Sequence, residues 1–72
     1  MNTLTQLGMR IRYLRKQKGM SQLDLALESD VNKNYISDLE RGERNPTVKV
    51  LEKIAKAFGI SLEELFKGIQ TF

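Results

Sequence analysis

Lys33, Asn34, Ser37, Asp38 and Arg41 recur on one side of a short stretch of chain, with Tyr35 at its edge, and together offer ammonium, amide, hydroxyl, carboxylate and guanidinium groups. The other side carries Ile36 and Leu39, three residues apart, which is an apolar stripe that a helix can bury. A short rigid rod with one buried face and one face of donors and acceptors is what reading the major groove of duplex DNA requires. Lys33 can donate to guanine O6 or N7, Asn34 can pair with adenine N6 and N7, and Ser37 can donate or accept. Tyr35 can stack on a sugar or touch a thymine methyl, although it lies close to the apolar stripe. Asp38 can accept from cytosine N4 but also repels phosphate, so a structural or specificity-filtering role fits it better than a base contact.

Further along, Arg44, Asn45 and Thr47 stand beside the expected start of another helix, whose free amides and positive dipole end suit a phosphate. Arg41 and Lys49 are placed to assist, and either is equally well read as solvated surface. Contacts of this kind set register and affinity, whereas base-facing groups select sequence.

The elements that must hold these groups are legible from helix-start and helix-stop signals. Ser21 precedes Gln22-Leu23-Asp24, a capping box, with Met20 and Leu25 able to close over it as a hydrophobic staple. Asn32 repeats the device eleven residues later, with Val31 facing Ile36. Two helices joined this tightly read as a helix-turn-helix spanning about 22–41, and small Ala26 lets them approach. Before them, Leu4, Leu7, Ile11 and Leu14 predict a first helix from about Leu4 to Lys18, stopped by Gly19. After them, Gly42 ends the third helix and Thr47 caps a fourth with Val48, Leu51, Ile54, Ala55 and Phe58 as one stripe, closed by Gly59. Ser61 with Glu64 is a further capping box, and Ile60 with Leu65 a third staple, giving a short terminal helix over about 62–67. The expected fold is all-α, a compact bundle of five helices in a single domain over 1–72.

Composition bounds the chemistry. In 72 residues with net charge +3 there are no His and no Cys, which removes disulfides, thiolate metal sites and the commonest catalytic bases. Ser21 and Ser61 are better explained as caps, and Glu63-Glu64 as carboxylates favouring a helix amino end. With no phosphate-cradling glycine loop or metal-ligand cluster, the expectation is no enzyme, no cofactor, no metal and no small-molecule ligand. The polar start from Met1 to Gln6 is unlike a signal peptide and no apolar run has membrane-spanning length, so a cytoplasmic protein is expected. Arg10, Arg12, Arg15, Lys16 and Lys18 crowd the first twenty residues without an acid, an asymmetry that suggests an anionic partner. On charge alone, a solvated basic face is an equal reading.

Over Lys18 to Phe66, KGMSQLDLALESDVNKNYISDLERGERNPTVKVLEKIAKAFGISLEELF, the chain resembles the lambda-repressor-like helix-turn-helix regulators of phages and bacteria, the XRE family. Within it, NKNYISDLERGERN is most similar to the controller proteins of restriction-modification systems. The resemblance implies a DNA-binding transcriptional regulator, repressor or activator, with RNA polymerase as a further partner. It places base-reading side chains at Lys33, Asn34, Tyr35 and Ser37, and at Gln22 a glutamine that reaches the backbone and steadies the recognition helix. It also implies a structural ion pair between Arg15 and Glu40. Asp30 stands where the family commonly has Gly, so a left-handed turn there rests on a residue that tolerates it less easily.

One recognition helix sees only a few base pairs, so specific binding calls for a homodimer whose helices meet successive major grooves about 34 Å apart on a pseudo-palindromic operator. Ile60, Leu62, Leu65, Phe66, Ile69 and Phe72 are more apolar side chains than a short terminal helix can bury. They are the expected two-fold interface, with purely internal packing as the alternative and Leu65 drawn into the protomer core. The rival reading is an antitoxin-like or adaptor module of the same fold that binds a protein. It predicts indifference to changes at Lys33 and Asn34.

Overall fold

The computed structural model describes residues 2–69 and comprises five helices: α1 (Thr3–Gln17), α2 (Gln22–Ser29), α3 (Lys33–Glu40), α4 (Val48–Phe58) and α5 (Leu62–Leu65). Among the described residues there is no strand. α1 begins and ends one residue earlier than the apolar spacing predicts, because Asn2 caps it by accepting the Thr5 amide at 2.8 Å.

Every later helix starts where a capping side chain sits. Ser21 Oγ accepts the Asp24 amide at 2.9 Å and the Asp24 carboxylate accepts the Ser21 amide at 2.9 Å, closing the expected box. The Ser21 backbone amide foremost, with the Ser21 hydroxyl after it, holds the Asp24 carboxyl below its ordinary pKa. Asn32 Oδ1 accepts the Asn34 amide at 2.7 Å and, more weakly, that of Tyr35. Ser61 Oγ accepts the Glu64 amide at 3.0 Å, but the returning half of that box is replaced: the Glu64 carboxylate takes Arg10 of α1 at 3.2 Å instead. α5 also stops at Leu65, short of the expected Lys67, with Phe66 as its C-cap.

The turn between α2 and α3 passes through Asp30 at φ 57° and ψ 42°, the left-handed conformation, and the Val31 amide then returns to the Ala26 carbonyl at 3.1 Å. Aspartate accepts this region at a modest cost that glycine would avoid. Past the turn, Ile36 and Leu39 are fully buried together with Ile11, Leu25, Ile54 and Leu65, so all five helices reach one core. Met20, Val31 and Ile60, the outer halves of the three staples, are partly buried against it.

Two expectations are corrected here. Val48 is 64 % exposed and not part of the α4 stripe, because the first turn of α4 lies at the rim of the core; coverage begins at Val50 and Leu51. Leu65 is entirely buried in the protomer and has no surface to give a second copy. The carbonyl of Leu65, with that of Glu64, accepts from the Arg10 guanidinium, which fastens α5 to α1.

An unanticipated feature positions α3. Gly8 of α1 is buried against the last turn of α3, where a Cβ would overlap the Leu39 carbonyl oxygen and lie 2.7 Å from that of Glu40. α1 therefore touches α3 backbone to backbone at that point.

Candidate nucleic-acid interface

The buried side of α3 is fixed at both ends. At its start stand the Asn32 cap and Ile36; at its end, Glu40 is 8 % exposed and meets Arg15, equally buried, in a two-pronged pair. Arg15 Nε donates to Glu40 Oε2 at 2.7 Å and Nη2 to Oε1 at 3.0 Å, while Nη1 reaches the Met20 carbonyl at 2.8 Å. The hydrogen bond and charge of Glu40 raise the Arg15 pKa against the opposing effect of burial, so the guanidinium stays charged inside the bundle. The pair implied by family resemblance is thus formed, and among the described residues no buried side-chain polar atom lacks a hydrogen bond.

Gln22 is turned inward and steadies the end of α3. Its Nε2 donates to Glu40 Oε1 at 3.1 Å, adding the start of α2 to the same hub. One carboxylate thereby ties α1, α2 and the end of α3 together.

The opposite side of α3 is open. Lys33 and Asn34 are exposed in its first turn, and among the described residues neither side chain is engaged in a hydrogen bond or ion pair. Tyr35 is half-buried against the core, and the Arg44 guanidinium lies over its ring at 5.0 Å from the centroid. Ser37 is half-buried and its hydroxyl accepts from Arg41 Nη1 at 2.7 Å. Lys33 and Asn34 therefore carry free side chains, whereas Tyr35 and Ser37 are tied to arginines.

Beyond α3 the chain brings Arg41, Arg44, Asn45 and Thr47 to one exposed rim. Thr47 Oγ1 accepts the Val50 amide at 3.2 Å as the α4 cap, and the earlier amides of that first turn have no carbonyl within the helix to reach. Asn45 is exposed, as is Lys49. Arg41 and Arg44 are held, not free: Asp38 pairs with both, one carboxylate oxygen to each, and Glu43 takes Arg41 as well. Glu43 first, then Asp38, raises the Arg41 pKa. That double engagement of Asp38 was not evident from spacing alone, because Arg44 reaches back from a loop six residues on.

Of the other predicted groups, Ile60, Leu62 and Ile69 are partly buried against the core and Phe66 is exposed. Phe72 lies outside the described residues. No group of acidic, His or Cys side chains among the described residues can hold a metal, and no helix is long and apolar enough to cross a membrane.

This geometry has close counterparts. The chain is 46 % identical over 59 residues to the control protein C.BamHI of Bacillus amyloliquefaciens, covering 81 % of this chain and 73 % of that protein. The restriction-modification controller C.AhdI of Aeromonas hydrophila superposes with a TM-score of 0.86 at 41 % identity, over 88 % of this chain and 96 % of that one. The controller C.Esp1396I, solved as a tetramer in complex with its natural 35 base-pair operator, gives 0.85 at 39 % identity, over 93 % and 88 %. Against one longer curated regulator the chain spans about half the length, 49 %. The helix-turn-helix family HTH_3 matches residues 11–65, and with the exposed α3, the Arg15–Glu40 hub and these relatives in agreement, the chain belongs to that family.

Proposed function

We propose that this chain is a sequence-specific, DNA-binding transcriptional regulator that acts as a homodimer on a pseudo-palindromic operator, in the manner of a restriction-modification controller. The observation that carries this reading is the bare face of α3: Lys33 and Asn34 project from a helix fixed at its other side by buried Ile36, Leu39 and Glu40. The operator complex of C.Esp1396I, a controller with the same fold, supports duplex DNA as the partner.

In this reading Lys33 and Asn34 select bases directly, while Tyr35 and Ser37 contribute once their arginines turn to phosphate. Arg41, Arg44, Asn45 and the α4 amino end at Thr47 hold the DNA backbone, and Gln22 steadies α3 through Glu40. Ile60, Leu62, Phe66 and Ile69 form the dimer face, with Leu65 excluded from it. No catalytic step and no cofactor are proposed. The regulator works in the cytoplasm with its operator, and excludes or recruits RNA polymerase according to where the operator lies.

The test is selection of bound fragments from random duplex DNA, which should return a two-fold motif with half-sites about one helical turn apart. On that duplex, Lys33→Ala and Asn34→Ala should each lose about 1–3 kcal/mol of affinity and relax sequence preference, with thermal melting unchanged. Affinity should fall steeply with added salt as condensed counterions are released. An unselected pool, or two alanine variants that bind as tightly as the parent, would leave the protein-binding adaptor as the better account.

A further inference from the structure

We propose that Asp38 restrains sequence-independent DNA binding by holding Arg41 and Arg44 away from phosphate in the free protein. This inference rests on the DNA-binding reading above.

The arrangement is specific. Asp38 Oδ1 accepts from Arg41 Nη2 and Asp38 Oδ2 accepts from Arg44 Nε at 3.3 Å, so each oxygen of one carboxylate is given to a different arginine. Arg41 is occupied at all three nitrogens: Nη1 on Ser37 at 2.7 Å, Nε and Nη2 on Glu43 at 3.3 and 3.2 Å, and Nη2 on Asp38. Arg44 is additionally laid over Tyr35. Both guanidinium groups remain about half exposed, so a phosphate can reach them, but it must displace a carboxylate to do so. The Asp38 side chain is only 27 % exposed, on the last half of α3. Freed of arginine, it faces the groove, where most base edges offer acceptors and cytosine N4 is the donor suited to a carboxylate. Every duplex therefore meets the same counter-charge before it meets Arg41 or Arg44.

A plain carboxylate near DNA would also repel phosphate, and the two ideas differ in whether the arginines are needed. The experiment uses the full chain and a mixed-sequence duplex at low salt, where sequence-independent binding is measurable. Asp38→Asn, which keeps shape and removes charge, should tighten binding by about five- to tenfold, the range that two half-exposed charge pairs exert together. In a chain carrying Arg41→Ala and Arg44→Ala, the same Asp38→Asn change should tighten binding by less than about twofold. Glu43→Gln, which releases Arg41 from one of its two carboxylates and leaves Arg44 paired, should give a smaller gain than Asp38→Asn. Circular dichroism melting shows that each variant is folded. No gain from Asp38→Asn, or an equal gain with the arginines removed, overturns the proposal. A parent chain that binds neither mixed nor selected duplex overturns the DNA-binding reading itself, a separate failure.

Discussion

Gly8→Ala is expected to lower the stability of the fold by about 3 kcal/mol or more, the upper part of the range for forcing extra atoms into a packed interior. In an ordinary helix this change goes the other way, because alanine is favoured over glycine by about 1 kcal/mol. Here the sign is set by the neighbour. A Cβ at position 8 would overlap the Leu39 carbonyl oxygen and crowd the carbonyl group of Glu40, and these are backbone atoms at the end of α3 that no rotamer change can remove. Relief requires moving α1 from α3, and that displacement would stretch the Arg15–Glu40 bridge a little further along α1. A domain of this size has only about 5 kcal/mol in hand, so the variant should melt well below the parent and bind DNA weakly at moderate temperature. Met9→Ala, one residue on and 52 % exposed, should leave the melting midpoint nearly unchanged. Equal melting of Gly8→Ala and the parent would mean that the two helices can separate freely.

The contrast between Gly8 and the caps explains what the sequence reveals of this protein. Ser21, Asn32, Thr47 and Ser61 act on amides two or three residues away, so their role is local and is written in the adjacent sequence. Asp30 in the left-handed turn and the Ile36–Leu39 stripe belong to the same class. Gly8 differs because its reason lies on another helix, at Leu39 and Glu40, and nothing adjacent to it in the chain announces the approach. The same limit explains Glu64, whose cap geometry predicted a bond to the Ser61 amide until Arg10 of α1 offered a full charge. It also explains Val48, whose spacing matches the α4 stripe while contact with the core begins only at Val50 and Leu51. On α3, the exposure of Lys33 and Asn34 follows from face and spacing, whereas the capture of Arg44 by Asp38 depends on how the loop after α3 folds back. Arg15 and Glu40 came from family resemblance, since no periodicity links a residue of α1 to the last residue of α3.

That pair carries the second large effect. Arg15→Ala should destabilise the chain by about 3–5 kcal/mol, because it strands the Glu40 carboxylate in the interior with only the Gln22 amide left to it. Glu40→Ala should cost a similar amount, leaving a buried guanidinium with the Met20 carbonyl alone. Arg15→Lys should fall between these and the parent, since an ammonium cannot reproduce the two parallel bonds at 2.7 and 3.0 Å. The informative comparison is the double replacement Arg15→Met with Glu40→Leu. Removing both charges removes the desolvation cost along with the attraction, so most of the lost stability should return. Duplex affinity should return less fully, because the bridge also sets the end of α3 relative to α1 and α2, and methionine and leucine carry no direction. Chemical denaturation of the four variants, paired with binding to the selected duplex at a temperature where each is folded, separates the two contributions. Should Arg15→Ala cost under about 1 kcal/mol, the bridge would be an ordinary surface pair, and rigid presentation of Lys33 and Asn34 would have to be credited to the apolar contacts of Ile36 and Leu39.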